Sequence, residues 1–233
     1  MRRSTSLKTC LPTTILLSGL FGCASNDTTD TAEQPRDTLA EAPALAMLPD
    51  DASAVSPLGV GDRAPAATLR DLDGRNVNLA DRYRAQPTVL VFYRGGWCPY
   101  CTRHLAELAL VEDDLRELGY RIIAVSPDRP EKLRDSLDDT ELGYELLSDS
   151  RVVLASAFGV AFRLDDGTVR QYSGFGIDLT DASGESHQVL PVPAVFIIDQ
   201  GGIIRYTHHD ANYRERLSGS ELLEAARTAR EDR

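Results

Sequence analysis

The chain has 233 residues, enough for one domain with a sizeable core and something extra, and its 42% hydrophobic and 26% charged residues are ordinary for a globular protein. Its 36 acidic residues against 25 basic ones give a formal net charge of −11, a body that repels nucleic-acid backbones and excludes them as partners.

The extra part is at the front. Arg2, Arg3 and Lys8 come without an acid, residues 11–21 are mostly apolar around Ile15, and small residues follow. That order predicts an export signal over residues 1–22, too short to stay as a spanning helix. Its end, Leu20-Phe-Gly-Cys23, resembles the lipobox of bacterial lipoproteins, in which the cysteine is lipidated and becomes the mature N-terminus. A plain secretory signal cleaved elsewhere is the alternative. Ala24 after the cysteine resembles signals sorted to the outer membrane, so the expected location is its periplasmic face, with the membrane met through the N-terminal lipid only. Losing residues 1–22 removes three positive charges and no negative one, which leaves −14. Residues 23–57 are rich in Asn, Asp, Thr, Ser, Ala, Glu and Pro, and predict a disordered tether behind the lipid.

The folded domain is expected over residues 58–233. Short strands at 68–72 and 76–79 flank Asp73-Gly74, a hairpin turn signal. Residues 88–93 form a near-continuous apolar run, as a central strand covered on both faces requires. Leu105, Leu108, Val111, Leu115 and Leu118 recur at spacings of three and four, predicting one amphipathic helix that stops at Gly119. A buried strand at 121–125, a helix at 130–137, a strand at 144–147 and a helix at 152–158 follow. Residues 162–190 break the alternation and read as a loop-rich insertion. A hairpin of strands 194–198 and 203–207 about Asp199-Gln-Gly-Gly202, then a helix at 220–230, closes the chain. Strands alternating with helices predict a layered α/β domain with a mostly parallel sheet.

The chemistry concentrates where the 88–93 strand breaks at Gly95 and Gly96 and delivers Cys98-Pro-Tyr-Cys101 onto a helix start. Pro99 suits the first helical position, and unpaired N–H groups and the helix dipole there favour a thiolate. Of the four cysteines, Cys10 leaves with the signal and Cys23 carries lipid, so Cys98 and Cys101 remain as thiols in a compartment that permits disulfides. A structural disulfide between them would close a four-residue loop and stabilise little. Trp97 and Tyr100 flank the pair as candidate groove walls, and Arg94 is either an anchor for a thiolate or oxyanion or a surface charge.

Gly61-Asp-Arg-Ala-Pro65, Arg94-Gly-Gly-Trp-Cys-Pro-Tyr-Cys101, Gly176-Ile-Asp-Leu179 and Leu190-Pro-Val-Pro193 together resemble the peroxiredoxin-like branch of the alkyl hydroperoxide reductase and thiol-specific antioxidant family. The resemblance implies a thioredoxin-like fold, a central mixed sheet flanked by helices with an N-terminal β extension. It also implies a thiol-dependent antioxidant oxidoreductase without metal or organic cofactor, acting on a peroxide or disulfide and recharged by an unidentified thiol donor. The family pattern Pro-x-x-x-Thr-x-x-Cys falls on Arg94, Cys98 and Cys101, and its distant arginine falls on Pro193. Cys98 and Pro193 instead resemble the attacking cysteine and cis-proline of thioredoxin. Two orders of events stay open: Cys101 attacks a peroxide and Cys98 condenses with its sulfenic acid, or Cys98 attacks a disulfide and Cys101 resolves it. His104, a turn beyond Cys101, reads as a helix-surface histidine or a proton acceptor. His208-His209 leaves a further alternative, a Cu(I)-binding envelope protein.

Overall fold

The computed structural model describes residues 45–134 and 142–231; the export signal, Cys23 and the tether up to residue 44 lie outside the described residues. Residues 45–57, assigned to the tether by composition, lie against the domain. Leu45, Leu48, Ala52 and Val55 recur at helical spacing and pack on its core. Arg163 ties this segment down, its Nη2 donating to the Leu45 carbonyl at 2.7 Å and its backbone N–H to that of Pro49 at 2.8 Å.

The chain runs through β1 (Thr68–Arg70), β2 (Asn76–Asn78), α1 (Leu79–Ala85), β3 (Thr88–Phe92), α2 (Pro99–Ala109), α3 (Glu112–Glu117), β4 (Arg121–Ser126) and a one-turn α4 (Pro130–Leu133). It continues through β5 (Glu145–Ser148), α5 (Val153–Ala157), β6 (Ala161–Arg163), α6 (Asp166–Gly174), α7 (Leu179–Ser183), β7 (Val189–Pro191), β8 (Ala194–Ile198), β9 (Ile204–His209) and α8 (Gly219–Glu231). Seven strands form one mixed sheet in the order β2-β1-β5-β4-β3-β8-β9, and β6 pairs with β7 separately. β3-β4 and β4-β5 are parallel and the other four pairs antiparallel, so the central mixed sheet implied by the family resemblance is present, whereas the mostly parallel sheet expected from the alternation of strands and helices is not: the β1-β2 and β8-β9 hairpins add antiparallel edges to a parallel centre.

Strand β3 sits in the middle, with β4 on one side and β8 on the other, and all five of its residues are buried. Successive side chains point to opposite faces. Leu90 and Phe92 join the core on one face with Phe158 and Phe196, whose three rings lie 4.8 to 6.0 Å apart. Val89, Val91 and Tyr93 join the core on the other, under α2 and α8, and this second core includes Cys98 and Cys101. The thiol pair is thus set into the packed face of the sheet.

Two further expectations change. The helix expected from 105 to 118 is two helices, broken where Val111 adopts φ −110° and ψ 6° and Leu110 turns 83% of its surface outward. The apolar period survives the break because Leu108 and Leu115 still reach the same core. The region 162–190 is not loop-rich: it holds β6, α6, α7 and β7. Asp165 and Asp178 cap the two helices by accepting backbone N–H bonds of 2.8 to 3.0 Å. Finally, Asp149, fully inside, caps α5 by accepting from the Leu154 and Ala155 amides at 3.1 and 2.8 Å, a tie between β5 and α5 with no counterpart in the sequence reading.

Candidate functional site

The turn from β3 into α2 is built by Gly95, whose φ of +148° lies where side chains are disfavoured. A Cβ there would overlap the Trp97 indole nitrogen and stand 2.8 Å from Asp128 Oδ1. Asp128, buried after β4, accepts from the Gly96 amide at 2.8 Å and from the Ser126 hydroxyl at 3.2 Å, which pins the loop from below. Cys98 is then the N-cap of α2 with extended backbone, Pro99 is the first helical residue, and the Cys98 carbonyl accepts from Cys101 and Thr102 at 2.9 and 3.1 Å.

Both thiols are free and buried, but their surroundings differ. The Cys101 S–H donates to Cys98, and the Arg94 and Arg216 guanidiniums add positive charge, which brings the Cys98 thiol down from 9.0 to about 6 against the opposing effect of burial. Burial first, then the bond and charge of Cys98, push Cys101 well above the ordinary thiol value. Both effects favour charge on Cys98 and the proton on Cys101.

Arg94 is an anchor in the site and no surface charge: it is only 4% exposed. Its guanidinium hydrogen-bonds the Tyr172 hydroxyl and lies 4.3 Å from the Tyr213 ring, 5.2 Å from Trp97 and 5.3 Å from Tyr172. Trp97 packs on Tyr172 at 5.7 Å and Tyr100 meets Tyr213 edge-on at 5.6 Å, and both flanking aromatics, half-buried, pack on the core that holds the thiols. Pairing of Phe92 with Ala194 brings Pro193 level with the end of β3, where it lines a cavity of about 240 Å³ with Arg94, Tyr172 and Tyr213.

Arg216 was not legible as a site residue. Its Nη2 lies 3.5 Å from the Cys101 sulfur, although 115 residues separate them. His104 explains how the arginine gets there. It is not on the helix surface: it is 5% exposed, and its Nε2 donates to the Leu217 carbonyl at 3.0 Å, tying the segment after β9 to α2. Burial, helped by Arg216, holds its pKa down to about 4, so it is a neutral tie with its Nε2 committed. His208 and His209 lie on β9, and among the described residues no three His, Cys, Asp or Glu side chains are grouped as metal ligands.

Residues 60–207 match the family profile described as AhpC/TSA family. A putative peroxiredoxin of Mycobacterium tuberculosis is 39% identical over 99 residues, which is 42% of this chain and 62% of that protein's length. Peroxiredoxin Bcp of Escherichia coli K12 is 36% identical over 106 residues, 46% of this chain and 67% of its own. Among solved structures, peroxidoxin BcpB of Mycobacterium tuberculosis superposes with a TM-score of 0.58 at 21% identity, over 76% of this chain and 99% of that one. Reduced Prx3 of Vibrio vulnificus in complex with H2O2 does so at 0.59 and 19%, over 72% and 99%. At such identities the structures speak for the shared fold, whereas the profile match spans well over half of the sequence: the chain belongs to the AhpC/TSA family.

Proposed function

We propose that this protein is a thiol oxidoreductase of the cell envelope that reduces hydroperoxides through a Cys98–Cys101 dithiol, with Cys98 attacking and Cys101 resolving. The observation that carries this order is the asymmetry of the two thiols: Cys98 is the N-cap of α2, where the helix start and the Arg94 charge favour a thiolate, whereas Cys101 lies inside the first turn, where burial favours the thiol. The order reverses the peroxidase scheme in which the residue at the family's nucleophile position, Cys101, leads. The Cys98 thiolate attacks one peroxide oxygen, the O–O bond breaks, and the leaving alkoxide takes a proton, with Arg94 the nearest cation to the developing charge. The resulting Cys98 sulfenic acid condenses with the Cys101 thiol, forming the disulfide and releasing water. A thiol donor then returns two electrons.

A second reading, reduction of protein disulfides, uses the same leading residue and is supported by the Cys-x-x-Cys placement with its first cysteine at the helix N-cap. The two are separated by following peroxide consumption and insulin disulfide reduction in parallel. In Cys101→Ser, peroxide should leave a dimedone-reactive sulfenic acid on Cys98; in Cys98→Ser none should form on Cys101. The reverse pattern would restore Cys101 as the nucleophile. For location, the reading is a lipoprotein anchored through Cys23, supported by the Leu20-Phe-Gly-Cys23 stretch. Palmitate labelling in cells that is lost in Cys23→Ser supports it, and equal labelling of both chains removes it.

A further inference from the structure

We propose that the donor that recharges the disulfide is a small thiol carrying a carboxylate, drawn in by arginines arrayed around the site. The inference rests on the Cys98-led reading and adds the donor's chemical class to it. Arg94 and Arg214 both lie over the Tyr213 ring, at 4.3 and 5.6 Å, and Arg103 and Arg214 both lie over Tyr100, at 5.5 and 5.9 Å. Arg216 reaches Cys101 from the same segment. The edge-on pair of tyrosines therefore gathers three guanidiniums, of Arg94, Arg103 and Arg214, and Arg216 adds a fourth beside Cys101.

Several arginines elsewhere on this acidic chain are committed to carboxylates, Arg82 to Glu145, Arg116 to Glu112, Arg129 to Asp181 and Arg205 to Asp199, while others such as Arg121 and Arg163 bond amide or carbonyl oxygens. Among the described residues, Arg94, Arg103, Arg214 and Arg216 have no carboxylate within ion-pair distance. The acids of their own segment are engaged with it: Asp210 accepts from the Asn212 amide at 2.7 Å and Glu215 from the Asn212 side chain at 3.4 Å. Arg94 is the telling member, because a buried cation without a partner is costly, and its Nε has no hydrogen-bond acceptor. Its charge acts on the Cys98 sulfur. When Cys98 and Cys101 are joined no thiolate can form there, and the buried guanidinium is left without an anion beside it. The 240 Å³ cavity that Arg94 lines also carries Asp50, Asp51, Asp165 and Arg163, so the anion is expected on the side of the exposed Arg103 and Arg214. At physiological salt, screening over roughly 8 Å leaves the local arginines, not the distant acids, to set the field at the thiols. The donor is small because both sulfurs are buried.

The step balances. A donor thiolate attacks Cys98, the disulfide breaks, and Cys101 leaves and takes a proton. A second donor thiolate attacks the donor sulfur of the mixed disulfide and frees the Cys98 thiolate. Two donor thiols are oxidised to one disulfide and the protein gains two electrons.

The test reduces the oxidised full-length protein with three thiols of matched size, 3-mercaptopropionate, 2-mercaptoethanol and cysteamine, with rates normalised to thiolate concentration. At low salt the anionic thiol should outpace the cationic one by about tenfold, and high salt should compress the difference. The Arg103→Gln, Arg214→Gln double variant should narrow that ratio and Arg214→Glu should invert it; both positions are exposed, so the fold tolerates them, and the salt series on the unaltered chain needs no variant. A flat or reversed order overturns the proposal, as does failure of all three thiols where an acidic protein dithiol succeeds. The underlying reading fails separately: Cys101→Ser is incubated with the disulfide of each thiol, and absence of every adduct on Cys98 removes Cys98 as the leading residue, whereas equal adducts from all three remove only the charge preference.

Discussion

Replacing Cys101 with alanine deletes the S–H donor that contributes most to holding Cys98 as a thiolate, while Arg94, Arg216 and the helix start stay in place. A hydrogen bond to a charged group contributes about 1.5–3 kcal/mol. At about 1.36 kcal/mol for each tenfold change in acidity, the Cys98 pKa should climb from about 6 to between about 7 and 8. Cys101→Ser keeps a donor at the same place and should stay near the lower value. The rate of iodoacetamide alkylation against pH, or thiolate absorbance in the ultraviolet, reads the midpoint directly. The sign for stability follows. The folded value lies below the ordinary 9.0, so Cys98 stabilises the reduced protein fully above pH 9, and this is lost as pH falls through about 6. In Cys101→Ala that loss should be smaller and should be complete at a higher pH, between about 7 and 8. An alanine variant whose alkylation midpoint stays at about 6 would refute the assignment of the Cys101 hydrogen bond as the leading cause.

His104 has a folded pKa of about 4 against an ordinary 6.5, so its contribution to stability is complete above pH 6.5 and is lost as pH falls toward 4. That loss is worth about 3 kcal/mol; urea titrations across the interval should show the slope, and His104→Gln should flatten it. Gly95→Ala should cost about 1–3 kcal/mol, because it adds strain at positive φ to overlap with Trp97, and it should shift the Cys98 alkylation profile; a neutral result in thermal unfolding would contradict the turn as described. Phe196→Ala, in the middle of the three-ring cluster on the opposite face, should cost about 3–5 kcal/mol in unfolding and leave the Cys98 alkylation midpoint where it is.

The framework was legible wherever burial on one or both faces imposed a period. The continuous apolar run at 88–92 could only be a central strand, and the glycine-rich break before Cys98 could only be a tight turn. What escaped the reading had no local pattern. Helix α6 buries none of its residues, so no 3.6-residue period marks it; the signal present was Asp165 with Thr168, a cap pair. His104 looked exposed because one helix face was counted from its leucines alone, whereas the segment after β9 covers the neighbouring face through Leu217. Arg216, Tyr172 and Tyr213 reach the thiols from segments 70 to 115 residues away in sequence, where only the fold brings them together. The two orders of attack stayed open for the same reason: alignment to a motif carries position, whereas the burial and charged neighbours that distinguish the two sulfurs come from the fold.

Trp97 is the only tryptophan in the chain, and it stands next to Cys98 with the Arg94 guanidinium 5.2 Å from its ring. Every photon of indole emission from this protein therefore originates within the thiol pair's own surroundings. Converting the thiolate to a disulfide removes a negative charge beside that ring and leaves the positive one, so excitation at the indole band should follow each turn of the cycle in real time, without dye, tag or coupled reaction.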